Sequence, residues 1–558
     1  MPAMQGKRAF LELLHQEGVE VIFGNPGTTE LPLMDALAVE DHPRYVLGLQ
    51  EAVVMTMADG YAQASGKLAA VNLHVTPGLG NAMGMLYDAQ KAGAPLLVTA
   101  GQHEEGFNVT EPILYADLPP IARPLVKWSA EVHRLEDLPR MIHRAAKTAL
   151  APPTGPVFLS LPGDILNAEA EIDLGTPVRV APHFRADPAA VREAAALLAS
   201  ARSPIIIAGD AVSQHRAHEE VAALAELIGA PVHLESVPST AGFPTSHPLF
   251  RGLSHRLPAP IRKLLDGHDV LLSLGGDLLT LSLPDKVEPI PPGCKVIHLD
   301  LDAWELGKNY ATDIAMLGSP KTTVPDLVAA LEAAMSPAQK AQAQARRTGL
   351  VAAIAKERAA LHAQARALAD KSPVMPLALL QAIGETLPGN AVVVEETLSS
   401  APGLRELIAS NDAQSFFGMR GGGIGWGMGA AIGVKLALPD RPVVALIGDG
   451  SAMYTIQALW TAAHDKVPVT WVIFNNRSYR ILKQRTNALR GYSAQLDRFV
   501  AMDFLDPPID FCGLARAMGV AAHAATTIAE VCAALKTALA SGVPMLIEVE
   551  LDRAFKPV

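Results

Sequence analysis

Short, nearly continuous apolar runs recur along the whole chain, separated by helical stretches rich in Ala and Leu. They include VEVIFG, LAAVNLHV, PLLVTAG, PVFLSLP, PIIIAGD, DVLLSLGG, KVIHLDLD, RPVVALIGDG, PVTWVIFNN and PMLIEVELD. A strand with one wet face alternates in polarity; runs like these suit parallel strands covered on both faces. The alternation therefore predicts an α/β chain of doubly wound parallel sheets. At roughly 100–200 residues per domain, 558 residues permit about three to five domains. Two breaks narrow that range. Residues 168–190 are polar and Pro-containing, like a linker, and residues 335–372 read as a helical connector rich in Ala, Gln, Lys and Arg. They predict three domains, 1–180, 185–335 and 375–558.

Charge and cysteine usage exclude several functions. The formal net charge is −11 and no basic block offsets it, which argues against a nucleic-acid partner. No uninterrupted apolar run reaches 18 residues, so no membrane span is expected. The N-terminal MPAMQGKRAFLELLHQEGVEVIFG carries charges where a signal peptide needs an apolar core, and reads as an amphipathic helix and a strand. Cys294, Cys512 and Cys532 lie too far apart in sequence for a disulfide framework or a CxxC metal site. They read as small buried hydrophobes in a cytoplasmic protein.

The segment RPVVALIGDGSAMYTIQALWTAAHDKVPVTWVIFNNRSY carries the first chemical signal. One strand ends at Gly448-Asp449-Gly450 and the next at Asn475-Asn476, and both ends should fall on the carboxyl edge of a parallel sheet. Asp449 and Asn476 then offer two oxygens to one hard cation, with the Ser478 carbonyl as a third, a set suited to magnesium. The glycines let backbone approach a phosphate group. Twenty-four residues, 451–474, separate the two halves. That spacing resembles the thiamine diphosphate motif, GDG followed about two dozen residues later by NN.

Upstream, FFGMRGGGIGWGMGAAIGVKLAL contains a loose dinucleotide-like match at Gly425, Gly427 and Ala430, a weak signal without a good preceding strand. In thiamine diphosphate enzymes the corresponding loop presses a bulky aliphatic residue under the thiazolium ring. The resemblance implies that Ile424 is that residue and that Gly422 offers its carbonyl to the 4′-amino group. It also implies cofactor contacts from Thr397, Leu398 and Ser399, from Gly448, Gly450 and Ser451, and from Tyr479, Arg480 and Ile481. The chemistry needs a carboxylate at N1′ of the aminopyrimidine, and the family pattern around QEA…ADGYA assigns it to Glu51. Glu30 and Glu104 are weaker competitors.

FGNPGTTELP, LQEAVV, ADGYAQAS, NLHVTPGLGNAMG, VTAGQ, RPLVKWS, GDGSAMYTIQALWTAA and NNRSY extend the likeness over nearly the whole chain. The sequence resembles the thiamine diphosphate-dependent 2-oxo acid decarboxylases, benzoylformate decarboxylases in particular. The resemblance implies pyrimidine, central and diphosphate domains, with thiamine diphosphate and magnesium held between the first domain of one chain and the third of another. A homodimer is then the minimum and a tetramer the expected assembly. It also implies cofactor contacts at Asn25, Pro26 and Gly27, a carboxylate-binding hydroxyl at Thr28, and an acid–base histidine at His74.

Two departures stand out. The central-domain histidine of that family has no counterpart, since GGDLLTLSLPDK offers Leu281 or Ser282; His255 lies elsewhere in that domain. The segment after NN brings Ile481, Leu482 and Arg485, which narrows a phenyl pocket and adds cations, unless the charges of Arg480, Lys483 and Arg485 are merely solvated surface. The expected reaction is nonoxidative decarboxylation of a 2-oxo acid to an aldehyde. The alternatives are carboligation of the acetolactate synthase type, a flavin-bearing oxidase, and a catalytically dead cofactor-binding scaffold.

Overall fold

In a computed structural model, which describes residues 3–555, the chain forms three six-stranded parallel sheets within α/β layers. The first sheet contains β1 (Val21–Gly24), β2 (Arg44–Leu47), β3 (Ala69–Leu73), β4 (Leu96–Gln102), β5 (Ser129–Glu131) and β6 (Val157–Pro162), in the order β2-β1-β3-β4-β6-β5. The second contains β7 (Pro204–Ala208), β8 (Val232–Leu234), β9 (Phe250–Leu253), β10 (Val270–Leu274), β11 (Lys295–Asp300) and β12 (Ile314–Leu317), in the order β9-β8-β7-β10-β11-β12. The third contains β13 (Val392–Glu396), β14 (Phe416–Gly418), β15 (Val443–Gly448), β16 (Val469–Asn475), β17 (Ala521–Ala525) and β18 (Met545–Glu550), in the order β14-β13-β15-β16-β18-β17.

The apolar runs are continuous because each central strand feeds two cores. Ala69, Val71 and Leu73 enter one cluster while Ala70 enters another. Val443, Ala445 and Ile447 likewise face away from Val444 and Leu446. Every sheet also has a point where the strand order reverses, between β1 and β3, β7 and β10, and β13 and β15. Open α/β sheets bind ligands at such points, beyond the carboxyl ends of the strands.

Two segments tie the sheets together. Glu169–Glu171 pairs with Ala3–Gln5 instead of running free, after which the first linker is irregular. The second break is a 30-residue helix, Pro337–Arg366, opened by a capping box at Ser336 and Gln339. Inside the chain, helix α1 (Glu51–Ser65) of the first layer packs on helix α2 (Trp426–Ala437) of the third. The contact is tight enough to demand glycine: a Cβ on Gly433 would lie 1.8 Å from the Met57 carbonyl oxygen.

Candidate active site

At the first reversal point, the turn after β1 meets the residue after β3. His74 Nδ1 lies 2.9 Å from Glu30 Oε2 and 3.2 Å from Thr29 Oγ1. Glu30 is 1% exposed and accepts hydrogen bonds from the Gly27 and Gly101 amides, each at 2.9 Å. A Cβ on Gly27 would sit 2.1 Å from His74 Nδ1, so the turn needs glycine there. With Glu30 accepting from Nδ1–H, Nε2 is the ring nitrogen left for proton exchange. Sequence reasoning placed Glu30 among the competitors for the activating carboxylate; in the structure it orients His74. The signal that could have found it is the spacing of Gly27 and Glu30 around a strand-end turn, with His74 ending the neighbouring strand.

Glu51 opens α1, where Gln50 caps the helix by accepting from the Ala52 amide at 2.5 Å. Its carboxylate is buried between two neutral amides, Asn81 Nδ2 at 3.0 Å and Asn25 Nδ2 at 3.4 Å. Gly78 brings Glu51 and His74 together, since a Cβ there would be 3.2 Å from both Glu51 Oε1 and His74 Cβ. Thr28 is exposed on the wall of a cavity of about 740 Å³, shared with Gln102 and Glu104. Pro26 is exposed on the same turn.

At the third reversal point the two halves of the sequence motif converge. Strand register pairs Gly448 with Phe474, which sets Asp449 level with Asn475 and Asn476. Asp449 is buried and accepts from the Gly450 amide at 2.9 Å and the Ser478 amide at 3.2 Å. Burial pushes its carboxyl up to about 6. Asn476 Oδ1 accepts from Ser478 Oγ at 2.7 Å, whereas Asn475 is spent on Glu548. Tyr479 packs over Gly450, where a Cβ would lie 2.6 Å from the ring.

Arg480 is not a solvated surface charge. It is 5% exposed, and its guanidinium donates to Ser399 Oγ at 3.2 Å, Ser400 Oγ at 2.5 Å and the Asp552 carbonyl at 2.9 Å. It thereby holds the 397–400 turn against the motif. Thr397 is buried, with its amide and hydroxyl on Glu395, and Leu398 carries a positive φ of 49°. Val75, directly after His74, has φ 33°, a costly conformation for a β-branched residue. Ile481, Lys483 and Arg485 are partly buried in the helix that follows; Lys483 pairs with Asp503.

The Gly-rich turn lies between two buried carboxylates. Glu396, 1% exposed, accepts from the Gly425 amide at 2.5 Å and the Gly427 amide at 2.6 Å. Asp88, 1% exposed, reaches over from the first layer to the Gly423 amide at 3.0 Å. Those amides are thus unavailable to a dinucleotide phosphate. Ile424 between them is half-buried, and Gly422 is exposed with φ 88°. Burial raises Glu396 to about 7. It raises Asp88 to about 8, with the nearby charges of Asp59 and Glu396 adding to the shift.

The second reversal point is already filled by protein. Arg420, from the same Gly-rich segment, bonds Glu235 at 2.5 and 2.9 Å, contacts Asp210, and lies 3.4 Å from Asp277. Leu281 is exposed, and Ser282 donates to the Arg256 carbonyl from its amide at 2.9 Å. His255, beside Arg256, is exposed. Among the described residues, no hydrogen bond or ion pair joins the first-layer set around Glu51 to the third-layer set around Asp449.

Comparison with known proteins agrees with this geometry. Three family models match: the N-terminal thiamine pyrophosphate binding domain over residues 4–113, the central domain over 191–327, and the C-terminal thiamine pyrophosphate binding domain over 404–549. Benzoylformate decarboxylase of Pseudomonas aeruginosa is 34% identical over 97% of this chain and 98% of its own. A putative acetolactate synthase large subunit of Mycobacterium tuberculosis is 30% identical over 98% and 99%. Among solved structures, a thiamine diphosphate-dependent 4-hydroxybenzoylformate decarboxylase of Rhodococcus jostii RHA1 superposes with TM-score 0.85 at 33% identity, covering 99% of this chain and 100% of that one. Benzoylformate decarboxylase from Polynucleobacter necessarius gives TM-score 0.87 at 29% identity, with the same coverages. The chain belongs to the thiamine pyrophosphate enzyme family.

Proposed function

We propose that this protein is a thiamine diphosphate- and magnesium-dependent decarboxylase converting a 2-oxo acid to an aldehyde and carbon dioxide without net oxidation. Glu51 carries the reading: among the described residues it is a buried carboxylate hydrogen-bonded only to neutral amides, near a histidine whose Nε2 makes no hydrogen bond. The donor set fits the metal, because the Asp449 carboxylate, the Asn476 amide oxygen and the Ser478 carbonyl are hard oxygen ligands. Asp449 is buried and, among the described residues, has no ion-pair partner within contact, although the Arg480 charge acts on it; this supports that assignment. Gly448, Gly450 and Ser451 would hold the diphosphate, with Gly422, Ile424 and the 397–399 turn around the rings. When bound, thiamine diphosphate supplies the electron sink that makes loss of carbon dioxide possible. Glu51 holds a proton beside the aminopyrimidine, Thr28 Oγ1 donates to the substrate carboxylate, and His74 Nε2 delivers a proton to the product carbon.

The separate clusters around Glu51 and Asp449 support a site completed by two chains, hence a dimer at least and a tetramer by family likeness. Three free cysteines and the acidic charge balance support a reducing, cytoplasmic setting. The plugged crevice at Arg420 favours a colourless protein over one carrying a flavin in its central domain.

The test is product analysis of the holoenzyme with aromatic, branched, short and dicarboxylic 2-oxo acids. Aldehyde and carbon dioxide are expected; carboligated product alone would replace the reading with the second one, which the missing histidine near Leu281 and Ser282 favours. Glu51→Gln should keep the cofactor and slow exchange of its C2 proton by at least about 100-fold. Unchanged exchange would remove Glu51 from its role.

A further inference from the structure

A cavity of about 90 Å³ lies where the central and third domains meet, walled by Ser236, Arg256, Leu398, Arg405, Phe416 and Gly422 among others. Leu398 and Gly422 also border the expected cofactor position, so the cavity adjoins the reaction centre. It is smaller than the roughly 150 Å³ cavity that accepts benzene in an engineered protein, and a phenyl group does not suit it.

Its polar lining is unusual. Arg405 is 2% exposed and lies over the Phe416 ring, its guanidinium carbon 3.1 Å from the centroid. Its Nη2 donates to the Thr240 carbonyl at 2.6 Å, while its buried Nη1 has no hydrogen-bond partner among the described residues. Burial lowers the guanidinium to about 9, which leaves it charged at neutral pH. Glu395, Asp210 and Glu406 all act on its charge, and Glu395 and Glu396 stand on the same cavity wall, but among the described residues none of these carboxylates makes a hydrogen bond or ion pair with it. Asp210 takes the amides and hydroxyls of Ser239 and Thr240 together with Arg420. Both oxygens of Glu396 hold the Gly-rich turn, and one oxygen of Glu395 holds Thr397. Arg256 stands on the same cavity, where it feels the charges of Glu395 and Arg485. A buried charged donor without a partner is costly, and a ligand anion removes the cost.

Building on the 2-oxo acid reading above, we propose that the substrate side chain ends in a second carboxylate, received in this cavity by Arg405 with Arg256 beside it. The substrate class is then the dicarboxylic 2-oxo acids, with Thr28 on one carboxylate and the two arginines on the other.

The holoenzyme is assayed with 2-oxoglutarate and with 2-oxopentanoate, which lacks the second carboxylate. Binding of glutarate to the cofactor-free protein is measured in parallel by calorimetry, independently of turnover. A charge-assisted contact predicts about a 10- to 100-fold higher kcat/KM for the diacid. Arg405→Met should collapse that ratio and abolish glutarate binding; Arg256→Gln, on the exposed side, should reduce both by about five-fold. Because Arg405 is buried, Arg256→Gln keeps the test open if Arg405→Met fails to fold. Equal turnover of the two acids, or a ratio untouched by Arg256→Gln, overturns the subsite and leaves the decarboxylase reading standing. Glutarate binding that is lost in Arg405→Met and weakened in Arg256→Gln, with no 2-oxo acid turned over, supports the carboxylate site while overturning the decarboxylase reading. Absence of glutarate binding in the wild type means that the cavity holds water only and ends the proposal.

Discussion

His74 depends on Glu30 for its direction, and this pair gives the most direct chemical prediction. His74→Ala should lower kcat by about 10²–10⁴-fold, the usual worth of a positioned acid–base group. Glu30→Gln keeps a side-chain oxygen near Nδ1 but loses the charge-assisted contact, so an intermediate loss of about 10- to 100-fold is expected in steady-state kinetics. Glu51 and His74 were both legible from their flanking residues. The role of Glu30 was not, because it depends on two turns from different strands meeting in space. Buried acids of this kind also set a pH dependence. Asp59, Asp88 and Glu396 are raised to about 6, 8 and 7, chiefly by burial. A carboxyl whose folded pKa lies above its unfolded value stabilises the fold while protonated and loses that contribution as pH rises through the folded value. Thermal stability of the cofactor-free protein should therefore be highest below the ordinary carboxyl range, fall from about pH 4 upward, and level off above about pH 8. Asp88→Asn should flatten the fall, as read by unfolding temperature against pH.

The helix pair α1 and α2 joins the first and third layers, and the proposed cofactor geometry rests on it and on the Gly-rich turn. Gly433→Ala would push a methyl group into the Met57 carbonyl and part the first and third layers. Overpacking of this sort costs about 1–3 kcal/mol. A lower unfolding temperature and weaker cofactor retention are expected, and calorimetry with a cofactor titration reads both. The GDG…NN spacing was legible because two adjacent parallel strands in register bring their ends level whatever lies between them. The carboxylate clamps were not, since Asp88 reaches a backbone amide 335 residues away and leaves no periodicity in the sequence. Arg480 was misjudged for a similar reason: a run of cations after a strand reads as surface until Ser399, Ser400 and the Asp552 carbonyl are seen around it.

For the molecule as a whole, the alternation of apolar runs and helices already specified three parallel α/β layers. The resemblance already assigned Glu51 to the first domain and Asp449 to the third; the structure places the two clusters at the reversal points of separate sheets. If two chains complete each site, Glu51→Gln and Asp449→Asn homo-oligomers should each be nearly inactive. Mixing them under exchange conditions should restore activity, because half of the sites in a mixed dimer receive neither change. Failure to recover activity in verified mixed dimers would place both residues in one chain's site.

Arg420 joins these scales. It belongs to the turn proposed to offer Gly422 and Ile424 to the cofactor, and its charge is held by Asp210 and Glu235 in the reversal crevice of the central layer. The reversal crevice of the central domain is thus occupied by a charge cluster that anchors the Gly-rich segment. The charges at positions 210, 235 and 420 are therefore coupled: replacing any one of them leaves the others buried without their counterion.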